Sequence, residues 1–277
     1  MTNYIINNNL FRLLRSGVFN DEEPLEPMSA FKWKRLLQIA DVHNVTDYVR
    51  IGLQHHKDDP NINIAHPVFD EVLNSANLSA GNNLPELPVF DEQPKMMNFF
   101  LNFRLKRIIK EENNNPDSTP ETMQLLYMII HNMNQTLNRG ISLKGIVDLG
   151  RFLRSEGDRV NFISLETSLN KLGMRKMASL QGSILTTFFH FDRDEIPYML
   201  KEDAAAQKLT QRSLTHTAAD TAENWHFRMR TNGMVENNSK VFRRNLRRSI
   251  RYMRYNPFET TSNFLNNFAK SLSEIEE

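Results

Sequence analysis

The sequence predicts an α+β protein, predominantly helical with a small mixed sheet in its middle. Two observations lead to this fold class. Apolar residues recur at helical spacing before residue 140 and after residue 203, whereas the stretch 141–200 alternates short strand-like and helix-like units. The chain has 277 residues, of which 40% are hydrophobic and 24% charged, which is the balance of a globular protein.

The N-terminal region, residues 1–94, is predicted to be helical. A helix over 31–40 follows Ser29 as its N-cap and places four residues on one face: Trp33, Leu36, Leu37 and Ala40. A second helix is predicted over 46–56. The stretch 74–94 is rich in Asn, Gly, Ser and Pro, which is typical of a loop or tether, and we place the first domain boundary there.

The middle region, residues 95–202, is predicted to be the core domain, and two helices precede its sheet. The first carries a stripe that we expect to be buried: Met96, Phe99, Phe100, Phe103, Ile108 and Ile109. The second starts at Thr119 and Pro120, because proline at the first helical position costs no backbone donor. Its predicted buried stripe is Leu125, Leu126, Ile129, Ile130, Met133 and Leu137.

The predicted sheet follows Gly140. Strands are expected over 141–143 and 160–165, each followed by a helix, over 147–153 and 167–172. Residues 183–191 and 196–200 are predicted to pair as a hairpin around the polar turn 192–195, with Pro197 on an edge strand. The C-terminal region, residues 203–277, is predicted to be helical over 204–206, 215–227 and 240–254, with breaks at 232–233 and 236–239.

The most specific motif lies at the start of this predicted sheet. Gly140-Ile141 is followed at fixed spacing by Lys144-Gly145, and Arg154 is followed by Gly157-Asp158. The pattern resembles the bacterial nucleotidyltransferase-like family, in which a strand ending in Lys-Gly precedes a helix and an Arg-x-x-Gly-Asp-x-Asp segment. The resemblance implies a sheet of nucleotidyltransferase-like topology. It also implies a phosphate-binding or nucleotide-binding set: Lys144, Gly145, Arg154 and Gly157.

In that family, the two Asp of the acidic strand and a third carboxylate bind Mg2+ against the triphosphate. Asp158 matches the first metal ligand, but Val160 stands at the second position and offers neither charge nor oxygen. Asp194 and Glu195 are candidates for the third carboxylate. The resemblance therefore implies a degenerate nucleotidyltransferase-like protein that retains nucleotide or phosphate binding without metal-dependent turnover.

Two alternatives remain open for this segment. An active Mg2+-dependent nucleotidyltransferase would recruit Glu156, Glu166 or Asp194 in place of the missing carboxylate. The run 154–158 is also typical of an ordinary helix-to-strand loop, in which Gly157 permits the turn and Asp158 bonds to local backbone.

A basic helix is predicted over 240–254, with seven positive charges and no acid. Since the whole chain has a net charge of +1, the remainder carries about −6. One stripe is apolar and expected to be buried: Phe242, Leu246, Ile250 and Met253. An adjacent stripe is basic: Arg243, Arg247, Arg251 and Arg254.

Three interpretations of the basic stripe remain open. The arginines pair internally with acids such as Glu274, Glu276 and Glu277, or they bind a polyanion, or they dock a protein partner. For nucleic acid or an anionic membrane surface, Tyr252 and Tyr255 would add stacking or interfacial contacts.

Composition excludes several classes of site. The chain has no cysteine, so thiolate metal sites, disulfides and cysteine nucleophiles are excluded. His55, His56 and His66 lack metal-ligand spacing, and we assign no chemistry to His190, His216 or His226. We see no signal peptide and no apolar run of spanning length, so a soluble, cytoplasmic protein is expected.

Overall fold

The computed structural model describes residues 2–59, 62, 84–90, 92–115, 118–215, 228–229, 235–236 and 239–273. Their α-helices are α1 (Thr2–Phe19), α2 (Ala30–Val42), α3 (Thr46–His55), α4 (Phe99–Asn113), α5 (Pro120–Arg139), α6 (Leu143–Glu156), α7 (Phe162–Lys171), α8 (Arg175–Phe189), α9 (Ala206–Thr215), α10 (Ser239–Tyr252) and α11 (Pro257–Ser273). Short 3-10 helices cover Gly157–Arg159 and Arg193–Glu195. Strands β1 (Arg228–Met229) and β2 (Val235–Glu236) form an antiparallel pair.

The prediction of a mixed sheet over 141–200 is wrong. All the regular elements in that stretch are helices, and the described residues contain no sheet beyond the two-residue pair of β1 and β2. The fold class is therefore all-helical rather than α+β. The strand predicted over 160–165, directly after Asp158, is replaced by the start of α7.

Side-chain caps explain why two predicted strands are helix starts instead. The Ser142 hydroxyl accepts a hydrogen bond from the Gly145 amide at 3.3 Å, which begins α6. The Asn161 side chain accepts a hydrogen bond from the Ser164 amide at 3.1 Å, which begins α7. Each cap satisfies a backbone donor that a helix start leaves free, so the short apolar runs around them enter helices.

The predicted hairpin over 183–200 is wrong because residues 183–189 complete α8. The Thr186 and Thr187 hydroxyls donate back to the Ser183 carbonyl at 3.2 and 2.6 Å, so these β-branched residues are accommodated in a helix. His190 takes a left-handed conformation with φ 53° and ends α8. A capping box between Asp192 and Glu195 then forms the second 3-10 helix.

Helix α5 confirms its predicted buried stripe, and α2 does so except at Leu37, which is half-buried. Trp33, Leu36 and Ala40 are buried in α2, and the whole predicted stripe of α5 is buried. Residues 216–227, 232–233 and most of the predicted tether lie outside the described residues.

The predicted burial of the aromatic stripe in α4 is wrong. Phe99, Phe100 and Phe103 are 77%, 73% and 65% exposed. The helix is buried through a different face, which carries Leu101, Leu105, Ile108 and Ile109. Phe99 and Phe103 lie on the opposite side of the helical turn from these residues, so they face solvent.

Helices α1 and α3 cross at backbone-to-backbone distance. A Cβ atom built on Gly52 would lie 2.1 Å from the Leu13 carbonyl oxygen, and one on Gly17 would lie 2.2 Å from the Tyr48 carbonyl oxygen. Only glycine fits at both positions, because any side chain would overlap the facing backbone. This crossing fixes the orientation of α3 against the core.

Glu259 fastens the start of α4 to α11. Its side chain is fully buried and accepts hydrogen bonds from the Met97 and Asn98 amides at 2.6 and 3.0 Å. The Asn98 side chain in turn accepts from the Leu101 amide and donates to the Ser262 hydroxyl. Burial raises the pKa of Glu259, although the two amides oppose this change. The entry to α4 is therefore held rigidly on α11.

In the part of the chain that the structure describes, no helix is both long and apolar enough to cross a membrane.

The α1–α3 crossing predicts that Gly52→Ala lowers the free energy of unfolding by about 1–3 kcal/mol, because the added methyl group overlaps the Leu13 carbonyl. Urea unfolding measures this change. Gly157→Ala is the matched control, since a Cβ there meets no atom within 4 Å and its φ is −55°. The control should gain up to about 1 kcal/mol. Equal stability of the two variants would show that the helices do not cross this closely.

Candidate functional site

Lys144, predicted to bind phosphate, lies in the first turn of α6 and is paired with the same helix. Its Nζ lies 2.9 Å from an Asp148 carboxylate oxygen. Gly145 follows it at the contact between α5 and α6, where the Asn132 side chain donates to the Gly145 carbonyl at 2.9 Å. A Cβ at Gly145 would lie 2.1 Å from Asn132 Oδ1. Gly145 thus permits close helix packing, and its amide bonds to the Ser142 cap.

Asp148 is the centre of a buried polar cluster that sequence reasoning missed. The Tyr48 hydroxyl of α3 donates to one carboxylate oxygen, and Arg151 donates to the same hydroxyl at 3.2 Å. The cations of Lys144 and Arg151 also lie 5.5 and 5.7 Å from the centre of the Tyr48 ring. Burial, strengthened by the Asp148 hydrogen bond, raises the pKa of Tyr48. The spacing of 144, 148 and 151 along one helical face was the available signal.

Arg154, also predicted to bind phosphate, has its guanidinium occupied by protein groups. It lies 3.9 Å from the Phe191 ring centre and 5.0 Å from that of Phe19. It donates to both oxygens of Glu195 at 2.8 and 3.3 Å. Burial opposes ionisation of Glu195, but hydrogen bonds from Arg154 and the Asp192 amide hold its pKa below the usual value. The pair of Arg154 and Glu195 joins α6 to the segment after α8.

The remaining candidates of the nucleotidyl-transfer motif are on the surface. Gly157 and Asp158 belong to the first 3-10 helix, and Asp194 belongs to the second. Both aspartates are exposed. The prediction that Asp158 binds Mg2+ assumed that a strand follows this residue. In the structure, Asp158 lies in the short 3-10 helix between α6 and α7. The degenerate nucleotidyltransferase stays a prediction, and so do nucleotide binding by this set and the active alternative.

One cluster of the described residues has the composition of a metal site. Ligand atoms of Asp21, Glu23 and His190 lie within 4.8 Å of one another. Arg15 already lies 3.3 Å from Asp21 and 2.8 Å from Glu23, and His190 Nδ1 lies 2.8 Å from Asp21. Since a buried guanidinium already compensates both carboxylates, the cluster works as an ion-pair network.

The basic helix exists as α10, and its arginines fall into two groups. Arg254, just after the helix, lies 3.0 Å from Asp203 and packs on Tyr255, while Arg248 and Arg251 are partly buried. Arg243 and Arg247 are exposed and have no ion-pair or hydrogen-bond partner within the described ranges. Internal pairing therefore accounts for only part of the positive charge.

The structure corrects the predicted faces of α10. Ile250 and Met253, expected in the core, are 61% and 40% exposed, and the buried positions are Asn245 and Tyr252. Tyr252 and Tyr255 are almost fully buried, so neither ring is available to stack on a base or to enter an interface. The exposed stripe of α10 thus combines Arg243, Arg247 and Ile250. Phe242 and the acidic tail lie outside the described side chains.

A second exposed surface, which we call the aromatic face, is made up of residues at the start of α4 and on α11. It comprises Met97, Phe99, Phe100, Phe103, Phe258 and Leu265. Phe258 and Leu265 are 69% and 57% exposed on α11. The rings of Phe99 and Phe100 pack edge to face with centroids 5.7 Å apart. Exposed lysines flank the α4 part of this face along the chain: Lys95 precedes it, and Lys106 and Lys110 follow it.

Arg50 and His43 are two further buried basic side chains. Arg50 on α3 is only 5% exposed, and its Nε and Nη2 atoms have no hydrogen-bond partner. His43, at the end of α2, makes a hydrogen bond to the Ser213 backbone at the end of α9. Burial lowers the pKa of His43 to about 4.

No protein-family model, curated protein or solved structure matches this chain.

The Asp148 cluster predicts that Asp148→Asn lowers the free energy of unfolding by about 3 kcal/mol, because Arg151 and Lys144 lose their buried counter-charge. Chemical denaturation checks this value. Lys144→Gln is the control and should cost about 1 kcal/mol or less, since its side chain is partly exposed and Arg151 still compensates Asp148. A loss below 1 kcal/mol for Asp148→Asn would contradict this account.

His43 predicts a loss of stability in acid. Its folded-state pKa of about 4 lies below the ordinary value of 6.5, so the unfolded chain takes up a proton first. Stability is full above pH 6.5 and falls towards pH 4, by up to about 1.4 kcal/mol per pH unit for this group. Unfolding curves of wild type and His43→Gln across this range measure the contribution. The variant should show a shallower decline, and parallel curves would contradict the assignment.

Proposed function

We propose that this protein is a helical binding module that docks onto an anionic surface through α10. The observation that carries the proposal is the exposure of Arg243 and Arg247, which have no partner among the described residues. Charged side chains that the fold does not compensate are available to a partner of opposite charge.

The distribution of charge supports the same function. The chain as a whole is nearly neutral at +1, so its positive charge acts locally rather than through a general field. In α10 the charge is concentrated on one helix without any acid. The neighbouring cation Arg254 is engaged by Asp203 and Tyr255, which leaves Arg243 and Arg247 as the available pair.

The exposed apolar residues beside these arginines indicate a partner that offers apolar surface as well as negative charge. Ile250 lies on the same stripe as Arg243 and Arg247, and Met253 follows at the end of the helix. A surface that joins apolar and basic side chains gains from both desolvation and charge neutralisation.

The proposal predicts that Arg243→Glu/Arg247→Glu weakens binding to heparin and to a short DNA duplex, used as anionic probes. The slope of log affinity against log salt should fall by about 2 for DNA, one unit for each lost contact. Binding is measured by titration at several salt concentrations.

Lys34→Glu/Arg35→Glu on α2 is the matched control, because it changes the net charge equally at a different surface. It should retain binding. If both double variants bind alike, or if the wild type binds neither probe, α10 is not a docking helix.

A further inference from the structure

The anionic surface that α10 binds is here a lipid bilayer, so the inference rests on the proposed function of α10. We infer that the aromatic face is an interfacial membrane anchor: its phenylalanines enter a bilayer of anionic lipids while the surrounding cations contact the headgroups. Three features carry this inference: the position of α11, the order of side chains along α4, and the bonded Met97, Asn98 and Leu101 amides at the start of α4.

Helix α11 contacts both the start of α4, which carries part of the aromatic face, and the end of α10. On one side, Glu259, Ser262 and Asn266 contact Met97 and Asn98. On another side, the Thr260 hydroxyl contacts the Tyr252 carbonyl at the end of α10. Phe258 and Leu265 project outward on the remaining exposed side of α11.

The exposed stripe of α4 changes from aromatic to basic residues along the helix axis. Phe99 and Phe103 come first, and Lys106 and Lys110 follow on the same line of the helix. At 1.5 Å per residue, Lys106 lies about 10 Å behind Phe99 along the axis. Interfacial segments bury their apolar residues about 5–10 Å into the headgroup and acyl boundary, so the lysines would stand at the level of the headgroups.

The cations around the aromatic face are available for anionic lipid. Lys95, Lys106 and Lys110 are exposed and have no ion-pair partner in the described part of the chain. Arg107 is the exception, because it pairs with Glu111 at 2.7 Å at the far end of the stripe. A second copy of this chain would bring the same lysines together, and like charges oppose such pairing.

At the start of α4, three backbone amides are already bonded to buried or half-buried side chains. Glu259 accepts from the Met97 and Asn98 amides, and the Asn98 side chain accepts from the Leu101 amide. Unsatisfied amides would oppose entry into the headgroup boundary, because each costs free energy away from water. The exposed side chains at this helix end are thus apolar, while the Met97, Asn98 and Leu101 amides are paired.

A bilayer fits this arrangement better than a nucleic acid or an acidic protein. On the exposed line of α4, phenylalanines come before Lys106 and Lys110, in the order of the acyl chains and headgroups of a membrane. Stacking on bases would require aromatic rings beside the arginines of α10, but Tyr252 and Tyr255 are buried there.

The test is flotation of the full chain with vesicles of phosphatidylcholine alone and with about a third phosphatidylserine. Wild type should bind the anionic vesicles and not the neutral ones. Replacing one of the three α4 phenylalanines, as in Phe100→Ser, should weaken vesicle binding about tenfold. The triple change of Phe99, Phe100 and Phe103 to serine should abolish it. Phe31→Ser is the matched control, because Phe31 is equally exposed, at 74%, on α2. It should leave binding unchanged.

Heparin binding separates this inference from the proposed function. The triple phenylalanine variant should still bind heparin, whereas Arg243→Glu/Arg247→Glu should lose both ligands. Heparin binding without vesicle binding would overturn the membrane anchor, retain the function of α10 and point to a nucleic acid or an acidic protein. Wild type that binds neither ligand would overturn both.

Depth measurement provides a second readout that does not depend on losing an aromatic group. Phe100→Trp should be quenched by lipids brominated on their acyl chains, and Phe31→Trp should not. Equal quenching at the two positions, or self-association that depends on the phenylalanines without vesicle binding, would overturn the anchor. Thermal unfolding of each variant should match wild type, since these side chains lie outside the core.

Discussion

Helices α1 and α3 touch backbone to backbone at Gly17 and Gly52, and much of the N-terminal half depends on that contact. A helix pair this close has no room to rotate, so the remaining faces of α3 are fixed as well. One of them directs Tyr48 to Asp148 on α6. The cluster around Asp148 therefore acts as a second connection between the N-terminal helices and the middle of the chain. Its cations, Lys144 and Arg151, both lie within ion-pair distance of Asp148.

The arginines fall into two groups: those that bond within the fold and those available to a partner. Arg15, Arg151 and Arg154 each bond to partners from the surrounding fold and stabilise its packing. Arg243 and Arg247 have no such partner in the described residues. Positive charge is common to the sequence motif around Lys144 and Arg154 and to the basic helix. Only the second of them includes arginines without an ion-pair partner among the described residues.

The long helices were predictable, whereas the elements of the middle region were not. Six periodic positions in α5 define its buried face, because 20 residues give several full turns over which to recognise a pattern. Runs of three to six residues, such as those around Ser142 and Asn161, contain too few positions to distinguish a strand from a capped helix start. There the side-chain caps decide, and their effect depends on a single hydrogen bond.

The candidate surface was only partly predictable for a related reason. The exposure of Arg243 and Arg247 follows from their charge. The exposure of Phe99 and Phe103 does not follow from their type, because α4 has two apolar faces and tertiary packing selects the one with Leu101 and Leu105. Periodicity identifies the apolar positions but not which of two such faces meets the core.

Glu259 has a consequence for the thermodynamics of association. A segment that must order itself on binding loses conformational entropy, and that loss reduces affinity. Here the residues before α4 are already fixed to α11 through both oxygens of one buried carboxylate. The entropy of ordering this helix end is therefore lost during folding, before any partner is met. A surface prepared in this way can associate rapidly and reversibly, with an affinity set by the groups it presents rather than by the flexibility of the chain behind them.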